Sequence, residues 1–316
     1  MYNDVKTFTG TLMLNFIIRR YNRFIKFNPL LNSFGGRKFL QLIIENIYIF
    51  EVLRRKKLKN KLLESPKFSI PEDNGFALYP PNTFKSSESA VSEAEKIFNN
   101  QKDLLNSGSF KKTYLRELSL EGHLQKNSPL MNFALDPQIL AMVSKYLGTL
   151  PILREIKMMY SPNEGSIEGG SQFFHVDKEY PRMMKVFLFI TPSTDEDGPL
   201  TSLSAKNSES LWKKMGRLKA IHRISDEQVF NTFSKDGTQS IIGEKGSVGF
   251  LDVARCLHFG SRPNPNSKSR LIVWFVYHHY CGDVFPFSLM ANKRYDFKEF
   301  TRDGDISDLN KLIILN

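Results

Sequence analysis

From Ile152 onward the chain changes texture, and that change constrains the fold more than any other feature of its 316 residues. Runs rich in β-branched, aromatic and large aliphatic side chains, Ile152–Tyr160, Gln172–Asp177, Met184–Ile190, Gly246–Asp252 and Arg270–Tyr277, alternate with turn-rich segments. Strands this short and this heavily punctuated suit a double-sheet jelly roll with helices packed on one side. Upstream, Gly75–Tyr79 reads as a short strand that stops at Pro80-Pro81, and Ser89–Asn100 as an amphipathic helix. A further helix is well bounded, with Asp136 as its N-cap, Pro137 at its first position and Gly148 closing it. The expected class is mainly β with flanking helices (α+β), with a jelly-roll domain over residues 71–316 and a helical N-terminal extension over 1–70.

That extension holds the net charge of +11. Residues 1–70 contain 14 Lys/Arg against four acids (Asp4, Glu45, Glu51 and Glu64), a surplus of ten, which leaves a surplus of one for the rest. A partner attracted by charge would therefore be met at the N-terminus and not at a site in the body, and no nucleic acid is expected. Residues 1–66 read as two helical segments broken near Asn28–Gly36, the second running from about Lys38 to Leu63 and carrying the run Arg54-Arg55-Lys56-Lys57. One reading packs this helix on the main domain with a solvated basic end. The other makes it interfacial, in weak contact with a membrane surface. Phe39–Leu53 is interrupted by Gln41, Glu45, Asn46 and Glu51, too polar for a transmembrane span, and no secretory signal is evident. Two cysteines, Cys256 and Cys281, read as reduced thiols. The expectation is a soluble cytoplasmic protein.

Two segments carry candidate chemistry. In Ser171-Gln-Phe-Phe-His-Val-Asp-Lys178, an extended backbone would project His175 and Asp177 to one face and Val176 to the other. An imidazole and a carboxylate side by side are two-thirds of a facial metal triad, although a surface His–Asp pair would look the same. The second segment, Gly246 to Gly260, brings His258, which stands 81 residues beyond Asp177, far enough for intervening strands to return it to the same mouth. Arg270 follows 12 residues later and opens the apolar run Arg270-Leu-Ile-Val-Trp-Phe-Val-Tyr277. Such an arginine either sits at an exposed strand end or pairs with a carboxylate through its planar fork.

The combination resembles the phytanoyl-CoA dioxygenase family of Fe(II)- and 2-oxoglutarate-dependent oxygenases, over roughly Pro71 to Tyr280. Gly170 to Asp177, Lys185 to Ile190 and Gly198-Pro-Leu200 are similar to the family's metal strand, its next core strand and its "GPL" turn. Leu257 to Asn264, with Arg270, is similar to its distal His, Asn and Arg segment. The resemblance implies a double-stranded β-helix (cupin-like) core, with Fe(II), 2-oxoglutarate and O2 as the reacting set. It further implies decarboxylation of 2-oxoglutarate to succinate and CO2, coupled to oxidation of a C–H bond in a small-molecule substrate. By position, His175, Asp177 and His258 would hold iron and Arg270 would clamp 2-oxoglutarate. Halogenating relatives lack the carboxylate ligand, so Asp177 favours hydroxylation. The chain departs from the family after Leu200, where Thr201-Ser-Leu-Ser-Ala-Lys206 has no Pro-Gly-Ser-His segment.

Further residues are weighed as contacts to the keto acid. Gln172 lies off the His175/Asp177 face by strict alternation, so a structural hydrogen bond competes with a role in binding. Tyr160 and Lys157 are polar partners for its carboxylate. Trp274 would line the interior, and Cys256 is either near the iron or a small buried hydrophobe. Lys178, Arg182 and Lys185 suit an anionic substrate or are solvated surface charges. The opposing reading of the whole chain is a non-catalytic jelly-roll scaffold whose basic N-terminus binds membrane or nucleic acid.

Overall fold

The computed structural model describes residues 33–107, 110, 112–162, 167, 169–216, 223–262, 264, 267–284, 297–301 and 307–314. The first of the two helical segments expected in residues 1–66 lies outside them. Nine strands are described: β1 Phe76–Tyr79, β2 Arg116–Leu118, β3 Ile152–Ser161, β4 Met183–Phe189, β5 Leu200–Leu203, β6 Thr238–Ile241, β7 Val248–Asp252, β8 His258–Phe259 and β9 Arg270–His278. They form an antiparallel six-stranded sheet in the order β1-β7-β4-β9-β3-β2 and a three-stranded sheet in the order β6-β5-β8. Helices α1 Phe34–Ile47, α2 Ile49–Leu62, α3 Ser87–Ser107, α4 Pro129–Ala134 and α5 Pro137–Leu147 precede most of the strands. Three more that bear on packing are α6 Ala205–Met215, α7 Asp226–Phe230 and α8 Asp308–Ile314. This is the expected jelly roll with flanking helices.

Alternation along the strands sorts the side chains of the large sheet. On β9, Leu271, Val273, Phe275 and Tyr277 enter an outer core with Met184, Val186 and Leu188 of β4, and helices α3, α4, α5 and α8 cover it. The intervening residues, Ile272 and Trp274 on β9 and Phe187 and Phe189 on β4, face inward toward the small sheet. Both faces are buried, which explains why β4 and β9 read as continuous apolar runs. Helix α5 starts and stops as its caps dictate: Asp136 accepts from the amides of Gln138 and Ile139, and Gly148 takes the left-handed conformation at φ 78°.

Three expectations change. Gln172–Asp177 is not a strand: residues 170–172 form a 3-10 turn, and Phe174 and His175 make single bridges to Ile224 and His258. Two positive-φ glycines, Gly169 and Gly170, curl the backbone there before it can extend. The Lys38–Leu63 helix is two helices divided at Tyr48, and Gly35-Gly36 lies inside the first turn of α1, capped by the Ser33 hydroxyl. The small strands β2, β5, β6 and β8, of two to four residues, are too short to show a period in the sequence.

The basic run of α2 is also not uniformly solvated. Arg54, Lys56 and Lys57 are exposed, but Arg55 is fully buried. Its guanidinium bonds the Glu51 carboxylate (2.9 Å) and the carbonyls of Leu150 (3.4 Å) and Leu312 (3.0 Å), and lies 4.9 Å from the centre of the Tyr280 ring. Ile44 and Val52 join the inner core with Tyr180 and Phe187. Together these contacts tie α1 and α2 to the sheets. Arg55→Ala should therefore destabilise the fold by about 2–3 kcal/mol, because it strips a buried charged donor from two carbonyls and leaves a void. Urea denaturation would measure it, with Lys57→Ala expected to stay within about 0.5 kcal/mol of the wild type.

Candidate metal centre

His175 and His258 come together through their backbones. The amide of each donates to the carbonyl of the other at 2.9 Å, and the rings stand 4.4 Å apart, centre to centre. The Asp177 amide donates to the Val253 carbonyl (2.8 Å), which fixes the third residue against the loop after β7. One ligand atom from each of His175, Asp177 and His258 falls within 4.8 Å of the other two, and His175 Nε2 lies 3.8 Å from Asp177 Oδ1.

Hydrogen bonding sets the tautomers. His175 Nδ1 lies 2.8 Å from the Phe173 carbonyl and His258 Nδ1 lies 2.9 Å from that of Cys256. A carbonyl can only accept, so each Nδ1 carries the proton and each Nε2 keeps a lone pair. This is the outer-shell pattern that orients histidine ligands on a metal. Burial lowers both imidazoles below the ordinary histidine range, His258 to about 3 with help from the neighbouring His175, so both are neutral near pH 7.

Asp177 divides its oxygens. Oδ1 faces the His175 ring, and Oδ2 accepts from the Lys185 ammonium at 2.6 Å. Burial alone would raise its pKa, but Lys185, His258 and His175 hold the carboxyl well below the usual range. The same ion pair more than offsets the burial of Lys185, whose pKa is raised. Lys185 also lies 4.9 Å from the centre of the Trp274 ring. As a lysine in the otherwise apolar run Met183-Met-Lys-Val-Phe-Leu-Phe189, it could have been singled out on the rule that a charge in a buried strand needs a partner.

Arg270 is buried and faces the same cavity of about 250 Å3 as the triad. Its Nε donates to the Asp197 carbonyl (2.7 Å), and its Nη2 donates to the Gly198 carbonyl (2.6 Å) and the Ser261 hydroxyl (3.4 Å). Nη1 has no hydrogen-bond partner among the described residues and so remains available to the cavity. Burial lowers the guanidinium to about 10, opposed by Asp197, so it stays charged near neutrality. Gly198 is required here: its φ is 60°, and a Cβ would collide with the Arg262 carbonyl. The Gly198-Pro-Leu200 turn thus holds the arginine in place.

The remaining candidates separate. Lys157 faces the cavity from β3, within 3.4 Å of Glu117 and 3.7 Å of Glu155. Tyr160 lies on the opposite face of β3, its ring 5.6 Å from that of Phe98 under α3, and does not line the cavity. Alternation makes this unavoidable for two residues three apart in one strand. Gln172 is buried in the 3-10 turn, donating to the Ser261 carbonyl (2.7 Å) and accepting from the Gly169 amide (3.3 Å). It braces Ser261, which touches Arg270, and does not itself line the cavity. Trp274 lines it, and its indole Nε1 is buried without a partner among the described residues. The Cys256 thiol points away, toward the Asn74 carbonyl (3.4 Å), as a small buried group.

Two neutral Nε2 atoms and one carboxylate oxygen on one side of a site are a donor set for a divalent first-row metal, with positions left open. Titration with Co(II), followed by its visible absorption, should give one bound ion per chain. His175→Ala, Asp177→Ala and His258→Ala should each abolish stoichiometric binding, and Cys256→Ser should preserve it.

No family model matches the chain, and no curated protein matches it. Solved structures do. EctD from S. alaskensis, with 2-oxoglutarate and 5-hydroxyectoine, is 17% identical with a TM-score of 0.50, over 78% of this chain and 89% of that one. The apo non-heme monooxygenase ThoJ is 16% identical with a TM-score of 0.42, over 65% and 74%. The epimerase SnoN, in complex with Fe3+, alpha ketoglutarate and nogalamycin RO, is 15% identical with a TM-score of 0.42, over 65% and 79%. At these identities the likeness to EctD is one of fold, and it agrees with the two-sheet architecture derived above.

Proposed function

We propose that the protein is an Fe(II)- and 2-oxoglutarate-dependent dioxygenase of the phytanoyl-CoA dioxygenase-like kind, hydroxylating a C–H bond of a small molecule with release of succinate and CO2. One observation carries the reading: the His175, Asp177 and His258 ligand atoms lie within 4.8 Å of one another and share a cavity with Arg270, whose Nη1 is available. The residues fit an iron ion, since both Nε2 lone pairs are free while both Nδ1 protons are held by carbonyls. Bound there by His175, Asp177 and His258, Fe(II) would supply the activation of O2 that drives decarboxylation of the keto acid. The names of the EctD and SnoN complexes, which include 2-oxoglutarate or alpha ketoglutarate, are consistent with this chemistry.

The chain's own groups then have distinct tasks. Arg270 binds the distal carboxylate of 2-oxoglutarate through Nη1, while its other nitrogens stay anchored to Asp197, Gly198 and Ser261. Lys185 occupies Asp177 Oδ2, so the aspartate offers Oδ1 as a single ligand atom. Trp274, Phe187, Leu200 and Ile272 supply apolar parts of the cavity wall. Lys157 and Glu155 line the same cavity, where Lys157 is a further cation for the keto acid.

With Fe(II), 2-oxoglutarate and O2, the protein should release succinate slowly even without substrate, and faster with a matching compound from a metabolite library. Arg270→Ala should weaken 2-oxoglutarate binding by about 100-fold, as expected for a buried charge-assisted pair of about 3 kcal/mol, while Fe(II) binding persists. Succinate release indifferent to Arg270→Ala would refute the clamp, and a metal-bound protein that never consumes 2-oxoglutarate would point to a cupin-like site with other chemistry.

On a separate observation, we further propose a weak membrane-surface contact through α1 and α2. Phe39, Leu42, Ile47, Phe50 and Leu53 are exposed, Phe50 by 85%. On α2 this apolar face runs into exposed Arg54, Lys56, Lys57 and Lys61. Apolar side chains bordered by cations suit the interface of an anionic bilayer. No helix of the described residues is long and apolar enough to cross one. The full chain should co-sediment with phosphatidylserine-containing vesicles and not with phosphatidylcholine alone. Replacing Arg54 and Lys57 by Gln should cut that binding by about tenfold or more, at about 1 kcal/mol per charge. Equal binding to neutral vesicles, or none to either, would dismiss the contact. Vesicle binding by a protein that takes up no Fe(II) would favour the scaffold reading instead.

A further inference from the structure

Asp252 closes β7 and is wholly buried. Its Oδ1 accepts from the amides of Ala254 (3.1 Å) and Arg255 (3.1 Å), and its Oδ2 accepts from the Tyr146 hydroxyl (2.9 Å). That hydroxyl accepts in turn from Arg255 Nη1 at 2.9 Å. The main chain tightens the same bend, since the Asp252 carbonyl accepts from the amides of Arg255 (3.2 Å) and Cys256 (2.8 Å). Three donors around one carboxyl favour its ionised form, against the burial that raises its pKa. A second buried polar side chain meets the far end of the bend: Ser208 of α6, whose hydroxyl accepts from the Leu257 amide at 2.8 Å.

A peptide unit is planar, and in the trans form its N–H and C=O lie on opposite edges. Fixing one edge therefore aims the other. The Ala254 amide held by Asp252 shares its plane with the Val253 carbonyl, which receives the Asp177 amide at 2.8 Å. The Leu257 amide held by Ser208 shares its plane with the Cys256 carbonyl, which receives the Nδ1 proton of His258 at 2.9 Å. Two of the three candidate ligands are thus held through peptides whose opposite edges are pinned by buried polar side chains. Neither Asp252 nor Ser208 lines the triad cavity.

We propose that Asp252 and Ser208 are positioning residues of the metal centre, each gripping the amide edge of a peptide whose carbonyl edge holds a metal ligand. Asp252 acts on Asp177, and Ser208 acts on His258. The Tyr146 hydroxyl extends the first grip to α5, and Ser208 belongs to α6, so two helices that carry no metal ligand bear on the ligand spacing. The inference rests on the reading of His175, Asp177 and His258 as metal ligands.

The test is Co(II) titration of the full chain, with a metal-free measurement beside it. Asp252→Ala should weaken Co(II) binding by about 10–100-fold and Ser208→Ala by about tenfold. Asp252→Asn should lose less than about threefold, because an asparagine can still turn its carbonyl oxygen to the Ala254 and Arg255 amides. Arg55→Ala, which destabilises the fold elsewhere, should bind Co(II) as the wild type does, and so separates positioning from stability. If Asp252→Ala does not fold, Asp252→Ser carries its arm: the hydroxyl still accepts one amide, and the loss should be about tenfold. In the metal-free protein, nitrogen NMR of the imidazoles should show His258 as the Nδ1–H tautomer in the wild type and in Asp252→Asn. Ser208→Ala should add the Nε2–H form, and the His258 signals are identified by their loss in His258→Gln. A wild type that binds Co(II), with undiminished affinity in Asp252→Ala or Asp252→Ser, or in Ser208→Ala with an unchanged tautomer, would overturn the proposal. A wild type that takes up no Co(II), while the His258 tautomer still answers to Ser208→Ala, would overturn the metal-centre reading itself and with it the metal role of both residues.

Discussion

The exchange of backbone hydrogen bonds between His175 and His258 is the contact on which the site depends. It joins two segments that are remote in sequence and places both rings on one side, 4.4 Å apart. Neither residue lies in a long strand: β8 has two residues, and His175 makes a single bridge. The pairing is therefore not inherited from an extended ladder. The large sheet holds it indirectly, because the Asp177 amide is fixed to Val253 at the end of β7 and the His258 segment pairs with β5. A small displacement of either segment would separate the ligand atoms, and a metal bound there would oppose it.

The layers explain why so many charged groups can coexist beside a dry core. Alternate residues of β4, of β9 and of β3 from Ile156 onward pack outward beneath helices, and among those between them Lys157, Lys185, Phe187, Arg270, Ile272 and Trp274 face the cavity. Lys157, Lys185 and Arg270 share the inner face, yet each has an acceptor there: Glu117 and Glu155 for the first, Asp177 for the second, and carbonyls of the Gly198 turn for the third. Arg270 differs in keeping one nitrogen uncommitted. Positional rigidity together with a free donor is what carboxylate recognition requires.

The N-terminal helices take part in this arrangement. Ile44 and Val52 bury themselves beside Tyr180, Arg55 clamps carbonyls of the body, and Arg37 lies where Asp177 and Glu179 influence its charge. The basic character of the first 70 residues is thus divided. Some cations are structural, some line a second cavity, and Arg54, Lys56, Lys57 and Lys61 face solvent.

By itself the sequence determined the two-sheet architecture, through strand-length apolar runs and turn residues, and the limits of α5, through Asp136, Pro137 and Gly148. It also offered His175, Asp177, His258 and Arg270 as candidates, the first two from the shared face of an extended backbone and the other two from their spacing and the family resemblance. Alternation already required Lys157 and Tyr160 to face opposite ways. Only the pairing of β3 with β9 decided that Lys157 reaches the cavity and Tyr160 the outer core. Tertiary structure alone revealed the partners of Lys185, Arg55 and Gln172, and the buried position of Arg37. A side chain's composition states what bonds it can make, but long-range packing decides which partner arrives and whether water is excluded. The short strands β5, β6 and β8, the last of which carries His258, escaped the sequence pattern because their register comes from neighbours far along the chain.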